Sequence, residues 1–445
     1  MWLTNHVLQR FIGILACLIV IGIILWSQLQ HRLLYIITNP ASLKIIVIPP
    51  KPAELYHDNH VTGYDNRIRC HRKIDIVYTW VNGSCPEFQK SLKKWIVLTG
   101  KDKGKANKRA SRAARYYDWD TMKYSIRSVE MFYPCTRNFY IVTNGQVPNW
   151  VNLSNPKVHL ITHQDIFPNK SHLPTFNSKA IEHHLHRIKG LSEKFLYFND
   201  DFFLSNNITE NDLFFGENGQ QIYIEYPPKY ECYPGCNIDK NNNSMCNLAC
   251  NNTFCNFDGK DCLAKKKDIS FETSKIGSDI HFQSLAFGNG MLSETFGVAK
   301  RPLINHIPYF IDKRIMAQYT KAFSSYIENT SASKFRAALN IPLPFAYFNF
   351  VMSKRNHMKG MCGENCKYRY KTRRGYFGFV EFVGINSNAT MVKTNLKRWS
   401  RRRRKFAFLQ DGTTGDNPNN VESHKLLLEH LEMMYPQPSQ LEKSF

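Results

Sequence analysis

The sequence predicts an α/β domain built on a mainly parallel sheet, and two observations carry that expectation. Four short apolar runs, at residues 74–80, 138–143, 158–162 and 195–198, are separated by helical or loop segments. That alternation builds parallel strands joined by crossovers. Three of the runs also end in polar loops, Trp80-Val-Asn-Gly83, Thr143-Asn-Gly145 and Asn199-Asp-Asp201. Such loops can converge on one crevice at the carboxyl ends of a Rossmann-like sheet, where these folds place ligands.

The chain opens on an unbroken run of apolar or small residues at 11–26, close to the ~20 residues that a membrane span requires. No small-x-small cleavage site follows it, so a transmembrane signal anchor is expected rather than a cleaved peptide. Eight Asn-x-Ser/Thr acceptors (Asn82, Asn152, Asn169, Asn207, Asn242, Asn251, Asn329 and Asn388) and eleven of the twelve cysteines come after it. Both features suit an oxidising lumen, with residues 1–10 as a short cytosolic tail. The formal charge of +23 asks for an anionic partner, but it is scattered, with its densest runs at 101–115 and 398–405. A lumenal body argues against reading the second run as a nucleic-acid patch. Residues 27–69, with Pro40, Pro49, Pro50 and Pro52, read as a stem. The catalytic body is expected at 70–231 and 263–445, on either side of a cysteine-rich insert at 232–262.

Within the body, the residues from 122 to 130 have helical spacing, and Asp120 is placed to cap their start. Ile181, Leu185 and Ile188 recur at i, i+4 and i+7, which predicts a helix capped by Asn177 or Ser178 and stopped by Gly190. That helix would set Glu182 and His186 one turn apart on a second face. The strand at 195–198 then delivers Asp200 and Asp201, adjacent carboxylates at a strand end, as candidate ligands for Mg²⁺ or Mn²⁺. The bland alternative is a pair of turn carboxylates.

The insert holds Cys232, Cys236, Cys246, Cys250, Cys255 and Cys262 in a short stretch, the pattern of a disulfide-stapled module. Asn247, Asp258 and Asp261 lie among them, and oxygen ligands in such a knot suit Ca²⁺ better than Zn²⁺. Beyond it, residues 304–314 lead into a helix, and the aromatic stripe at 345–350 reads as core. Cys362-Gly-Glu-Asn-Cys366 is a small disulfide loop or a redox pair. The run 406–411 is a strand ending in Asp411, a further metal candidate, and 421–434 is an amphipathic helix carrying Leu427, Leu428 and Leu431.

Four blocks in this order resemble the Stealth family, and within it the eukaryotic N-acetylglucosamine-1-phosphotransferase branch. They are Ile74-Asp-Ile-Val-Tyr-Thr-Trp-Val-Asn-Gly83; the segment from Asp118-Trp-Asp120 through Ala180-Ile-Glu182 to Asn199-Asp-Asp201; His306-Ile-Pro with Ile311-Asp312 and Arg336; and Gln410-Asp411. The six-cysteine insert resembles a Lin-12/Notch repeat. This resemblance implies an enzyme that moves a sugar 1-phosphate from a nucleotide-sugar to a glycan hydroxyl. In the eukaryotic branch the donor is UDP-N-acetylglucosamine and the acceptor is mannose on lysosomal glycoproteins, and the enzyme is anchored in the Golgi membrane. Glu182, Asp201, His306 and Arg336 match the family's catalytic positions. Asp75, Trp80, Val81, Asn82 and Gly83, with Arg127 and Asn144 of the second block, match its nucleotide-sugar-binding region. A further subunit or a second copy of the chain is a candidate partner. The chain departs from the family pattern at Thr121, Leu339, Asn340 and Gln410.

Two other classes fit parts of the same sequence. A lumenal glycosyltransferase would also use a strand-end acid pair, but would release UDP in place of UMP. A non-enzymatic surface protein would use the calcium module alone.

Overall fold

The computed structural model describes residues 70, 73–100, 113–215, 219–224, 231–233, 236–237, 280–297, 299, 301–357, 369–374, 379–413 and 419–443. The expected anchor at 11–26, the stem, and the Cys362/Cys366 pair lie outside them, as does nearly all of the insert, including Asn247, Asp258 and Asp261. Among the described residues no helix is long and apolar enough to cross a membrane. Of the insert's cysteines, Cys232 and Cys236 fall on a small antiparallel ladder, Glu231–Tyr233 against Cys236–Asn237.

The four expected strands form: β1 (Ile74–Thr79), β2 (Thr136–Thr143), β3 (Val158–Thr162) and β4 (Lys194–Asn199). They pair in parallel in the order β4-β1-β2-β3. β1 and β4 are buried almost end to end, because a central parallel strand is covered on both faces. That double burial is why they read as unbroken apolar runs. Their register sets the strand ends level, with Thr79 beside Asn199 on one side and Val142 on the other. Past Asp201 the chain turns straight into β5 (Phe202–Leu204). The segment around 304–314, read as a lead into a helix, first makes β6 (Tyr309–Asp312), antiparallel to β4 at the sheet edge. So short an aromatic run after Pro308 carries no period of its own to mark it as a strand. β7 (Val380–Ile385) and β8 (Phe406–Asp411) join β5 in a three-stranded sheet with β8 in the middle. A further sheet takes Phe214–Phe215, Gly219–Ile224 and Arg369–Arg374.

Among the described residues, nine longer or site-forming helices pack around these sheets: α1 (Pro86–Leu98), α2 (Thr121–Phe132), α3 (Ser178–Glu182), α4 (Ile280–Phe296), α5 (Lys313–Ala322), α6 (Ser324–Ala332), α7 (Leu343–His357), α8 (Ala389–Arg402) and α9 (Asn419–Met434). α3 is shorter than its apolar spacing predicts. It stops at Glu182, and Leu185–Arg187 form a separate 3-10 turn. The ring Nδ1 of His183 sits 2.6 Å from the Lys179 carbonyl, the acceptor a continuing helix would use for its own amide ladder. Glu182 and His186 therefore do not share a helix face. Asp120 does occupy the N-cap of α2, but in the left-handed region at φ 56° and with no capping bond from its side chain. Asn177 likewise stands at the N-cap of α3 without capping it. Its side-chain amide reaches the Thr330 and Ser333 carbonyls of the α6 end and Asn340 Oδ1 instead.

Two long-range ties fix the frame. A disulfide joins Cys70, ahead of β1, to Cys135, ahead of β2. Arg127, on α2 and 6% exposed, bonds Glu442 at 2.7 and 2.8 Å, Glu432 at 3.1 Å and the Tyr435 carbonyl at 3.0 Å. This places Arg127 as the clamp for the segment after α9, not at the strand ends where a nucleotide-sugar would bind. Removing one partner of a buried ion pair leaves the other uncompensated. Arg127→Ala should therefore cost about 3–5 kcal/mol in urea unfolding, and a loss below about 1 kcal/mol would show that the clamp is dispensable.

Candidate active site

The acid pair occupies the turn between two sheets. β4 of the central sheet ends at Asn199, and β5 of the neighbouring sheet begins at Phe202. The Asp201 carbonyl accepts the Leu409 amide of β8 at 3.0 Å, which pins the turn to both sheets. The Asp201 side chain is 35% exposed, yet its Oδ1 is buried and has no hydrogen-bond partner. Burial raises Asp201 to about 7, an effect that the Arg336 charge partly offsets. Asp200 is pushed well above the carboxylate range by burial, then by the charges of Asp201 and Asp118.

Three other expected catalytic residues gather around this turn. His306, in the loop before β6, points Nε2 at Asp201 Oδ2 across 3.9 Å, and its Nδ1 lies 3.2 Å from the Tyr309 hydroxyl. Phe202 and Phe408 hold the imidazole edge to face, at centroid distances of 4.6 and 5.2 Å. Burial, His281 and Arg336 together lower His306 to about 3, so it is neutral at working pH. Glu182 ends α3, is 9% exposed, and is raised by burial to about 7 against the lowering charges of Arg336 and Lys179. Arg336 donates from Nη2 to Ser178 Oγ at 2.7 Å. Its charge acts on Glu182, Asp201 and His306 alike. Four residues from four separate stretches thus share one electrostatic centre.

Several members of this centre carried no signal of their own. The Tyr197 hydroxyl is within hydrogen-bond reach of Glu182 and also meets Asn199 Oδ1 at 2.6 Å and Thr79 Oγ1 at 3.1 Å. On an otherwise apolar strand that hydroxyl was the one available hint. Lys179, 5% exposed, bonds Ser284 of α4. Gln146 spans two strand-end loops, accepting from the Asn82 amide at 2.9 Å and donating to its carbonyl at 3.0 Å.

The residues matched to nucleotide-sugar binding divide. Trp80, Val81, Asn82 and Gly83 leave the carboxyl end of β1 at the crevice, and Trp80 donates its indole N–H to Asp118 Oδ2 at 2.8 Å. Gly83 donates to the Tyr116 carbonyl at 2.8 Å, so close that an added Cβ would lie 2.0 Å from that oxygen. Asn144 is an exposed turn residue whose Oδ1 accepts from Gln146. Asp75 sits at the other end of β1, fully buried, and accepts from Arg137 Nε at 2.8 Å, the Ser192 amide at 2.6 Å and the Asn138 amide at 3.2 Å. A carboxylate so occupied is a frame residue and does not meet ligand.

The metal candidates divide as well. Among the described residues no three His, Cys, Asp or Glu side chains assemble into a metal-holding group, so Asp411 does not complete a set with Asp200 and Asp201. The Trp119 indole N–H takes Asp411 Oδ2 at 3.2 Å, and the Thr413 amide takes Oδ1 at 2.7 Å. Asp200 and Asp201 remain a fitting pair. Mg²⁺ typically takes only one or two protein carboxylates, with water and substrate oxygens as its other ligands. The partnerless Asp201 Oδ1 is the kind of atom such an ion would satisfy. Of the departures from the family pattern, Asn340 is used in packing, accepting from the Ala337 amide at 2.8 Å and from Asn177 at 3.0 Å.

Comparison with known proteins places these residues. Residues 72–96, 115–222 and 305–353 match Stealth protein conserved regions 1, 2 and 3, and residues 229–263 match an LNR domain. The N-acetylglucosamine-1-phosphotransferase subunits alpha/beta of Mus musculus are 44% identical over 184 residues, and those of Homo sapiens 47% over 189. These matches cover 40% and 41% of this chain and 15% of each relative. An exopolysaccharide phosphotransferase of Streptomyces coelicolor is 28% identical over 370 residues, 83% of this chain and 52% of that protein. The apo structure of the bifunctional glycosyltransferase WbbM aligns over 82% of this chain and 51% of its own at 10% identity. Its TM-score of 0.35 is too low to bear on the fold. The chain thus matches the three Stealth conserved regions in order, with an LNR domain between the second and third, and over 40–41% of its length is similar to the alpha/beta phosphotransferase subunits.

Proposed function

We propose that this chain is a sugar-1-phosphate transferase. It would move N-acetylglucosamine 1-phosphate from UDP-N-acetylglucosamine to a mannose hydroxyl of a glycoprotein glycan. We place it in the Golgi membrane as a single-pass type II protein with the catalytic body in the lumen, on the strength of the apolar run, the glycosylation acceptors and the cysteines that follow it. The observation that carries the reading is Arg336, one cation acting on Glu182, Asp201 and His306 together. Phosphoryl transfer needs positioned positive charge more than covalent help from the protein.

The acceptor oxygen attacks the phosphorus that bears the sugar. The bond from that phosphorus to the bridging oxygen breaks, UMP leaves with the electron pair, and the sugar C1–O bond stays intact. Asp200 and Asp201 would hold Mg²⁺ or Mn²⁺, which when bound supplies charge for the pyrophosphate oxygens. Arg336 neutralises phosphate charge from the other side. His306 is half-buried where Glu182 is buried, so it is the base an acceptor can reach. It is neutral, so Nε2 can take the acceptor proton, and Asp201 balances the imidazolium that results. Glu182 orients Arg336 through the shared Ser178.

Two measurements follow from this mechanism. Glu182 balances Arg336 and Lys179 only when ionised, which its value of about 7 allows above neutrality. The value of kcat/KM should thus rise with pH through about 7 as Glu182 and Asp201, both raised to about 7, ionise; Glu182→Gln should make that limb shallower by one proton, and an unchanged profile would remove Glu182 from the centre. The reaction itself is tested with UDP-N-acetylglucosamine labelled on the phosphate next to the sugar, a mannose-terminated acceptor and Mg²⁺ or Mn²⁺. UMP and a labelled, acid-labile phosphodiester are expected, with both lost in Arg336→Ala. Release of UDP with no label in the glycan would make the enzyme a glycosyltransferase.

A further inference from the structure

The segment that precedes α2, Tyr117-Asp-Trp-Asp120, builds a wall of the crevice that the mechanism leaves unused. Tyr117 is 46% exposed. Its ring meets Trp119 at 5.0 Å and 70°, and His424 of α9 at 6.2 Å and 77°, so neither ring stacks on it. Trp119 is fixed by Asp411 through its indole N–H, and by His424 through its carbonyl at 3.2 Å and an edge-to-face contact at 5.1 Å. Among the described residues the Tyr117 hydroxyl has no hydrogen-bond partner. It is raised by burial first and then by the charges of Asp120, Asp118 and Asp411, so three carboxylates act on one half-exposed ring. The wall is continuous with the reaction centre, because Asp118 bonds Trp80 at the end of β1 and its charge acts on Asp200.

The crevice is therefore electrically divided. Arg336 and Lys179 lie on the α3 side, and Asp118, Asp120 and Asp411 lie on the side of Tyr117. Three carboxylates on that wall, with only His424 set 3.9 Å from Asp120 among them, disfavour a pyrophosphate there. A neutral pyranoside suits them, because its hydroxyls donate to ionised carboxylates in the stronger class of hydrogen bond. Its C–H face offers apolar surface to an aromatic ring. We infer that Tyr117, Trp119, Asp118, Asp120 and Asp411 form the binding site for the neutral acceptor sugar, with the exposed Tyr117 ring as its platform. This inference rests on the transferase reading and specifies which side of the crevice receives the acceptor.

The test uses the full-length chain with UDP-N-acetylglucosamine as donor and methyl α-mannoside as acceptor. Tyr117→Ala should raise the acceptor KM about tenfold and move the donor KM by less than about twofold. Tyr117→Phe, which keeps the ring, should recover most of the acceptor KM, and Asp120→Asn should weaken the acceptor alone. An increase in donor KM in place of acceptor KM would assign the ring to the uracil base and overturn the inference. Saturation-transfer NMR with methyl α-mannoside separates this claim from the reaction. Signal in the wild type that disappears in Tyr117→Ala supports the site even where no UMP is formed. Equal signal in both proteins overturns it while leaving the transferase intact.

Discussion

Two adjacent carboxylates at the end of a buried strand set the terms for the rest of this molecule. Asp200 and Asp201 sit in the turn between the central sheet and the β5-β8-β7 sheet, where burial raises both and the charge of Asp201 raises Asp200 further. A fold that places them there holds an unmet demand for positive charge, and Arg336 supplies only part of it. The partnerless Asp201 Oδ1 is the structural sign of the remainder.

The surrounding architecture keeps that demand in place. Level registers at Thr79, Val142 and Asn199 bring the strand ends to one edge, and Gln146 ties the first two loops together. Asn177 anchors the start of α3 to the region around Thr330, Ser333 and Asn340, just ahead of and behind Arg336 in the chain. Ser178 then joins Arg336 to Glu182. His306 comes from beside the edge strand β6, clasped by Phe202 of β5, which continues from the acid turn, and by Phe408 of β8, which pairs with β5. The reaction centre is thus assembled where two sheets meet, and a change in either sheet would reach it.

What could be read in the sequence follows from what burial does to sequence. β1 and β4 were legible because strands covered on both faces must be apolar throughout, β2 and β3 as short apolar runs ending in polar loops, and the acid pair because it interrupts such a run at its end. β6 was not, since a short antiparallel edge strand leaves no period. The length of α3 was missed because a buried imidazole took a backbone carbonyl, a contact that apolar spacing does not encode. Asp75 and Arg127 were assigned to ligand binding because they lie in matched blocks. Their true partners, Arg137 and Glu442, stand 62 and 315 residues away, and pairs at such separations become visible only in three dimensions. Asp411 was a sound strand-end acid whose partner, Trp119, is equally distant in sequence, 292 residues back.

The central claim is that the Asp200–Asp201 turn keeps room for a divalent cation alongside phosphate. Electron paramagnetic resonance of Mn²⁺, titrated into the wild type and into Asp201→Asn with and without UMP, tests it without relying on turnover. A Mn²⁺ signal that tightens with UMP is expected in the wild type, with that component lost in Asp201→Asn and the unfolding midpoint of the variant preserved. UMP-linked Mn²⁺ binding that is equal in both proteins would contradict it.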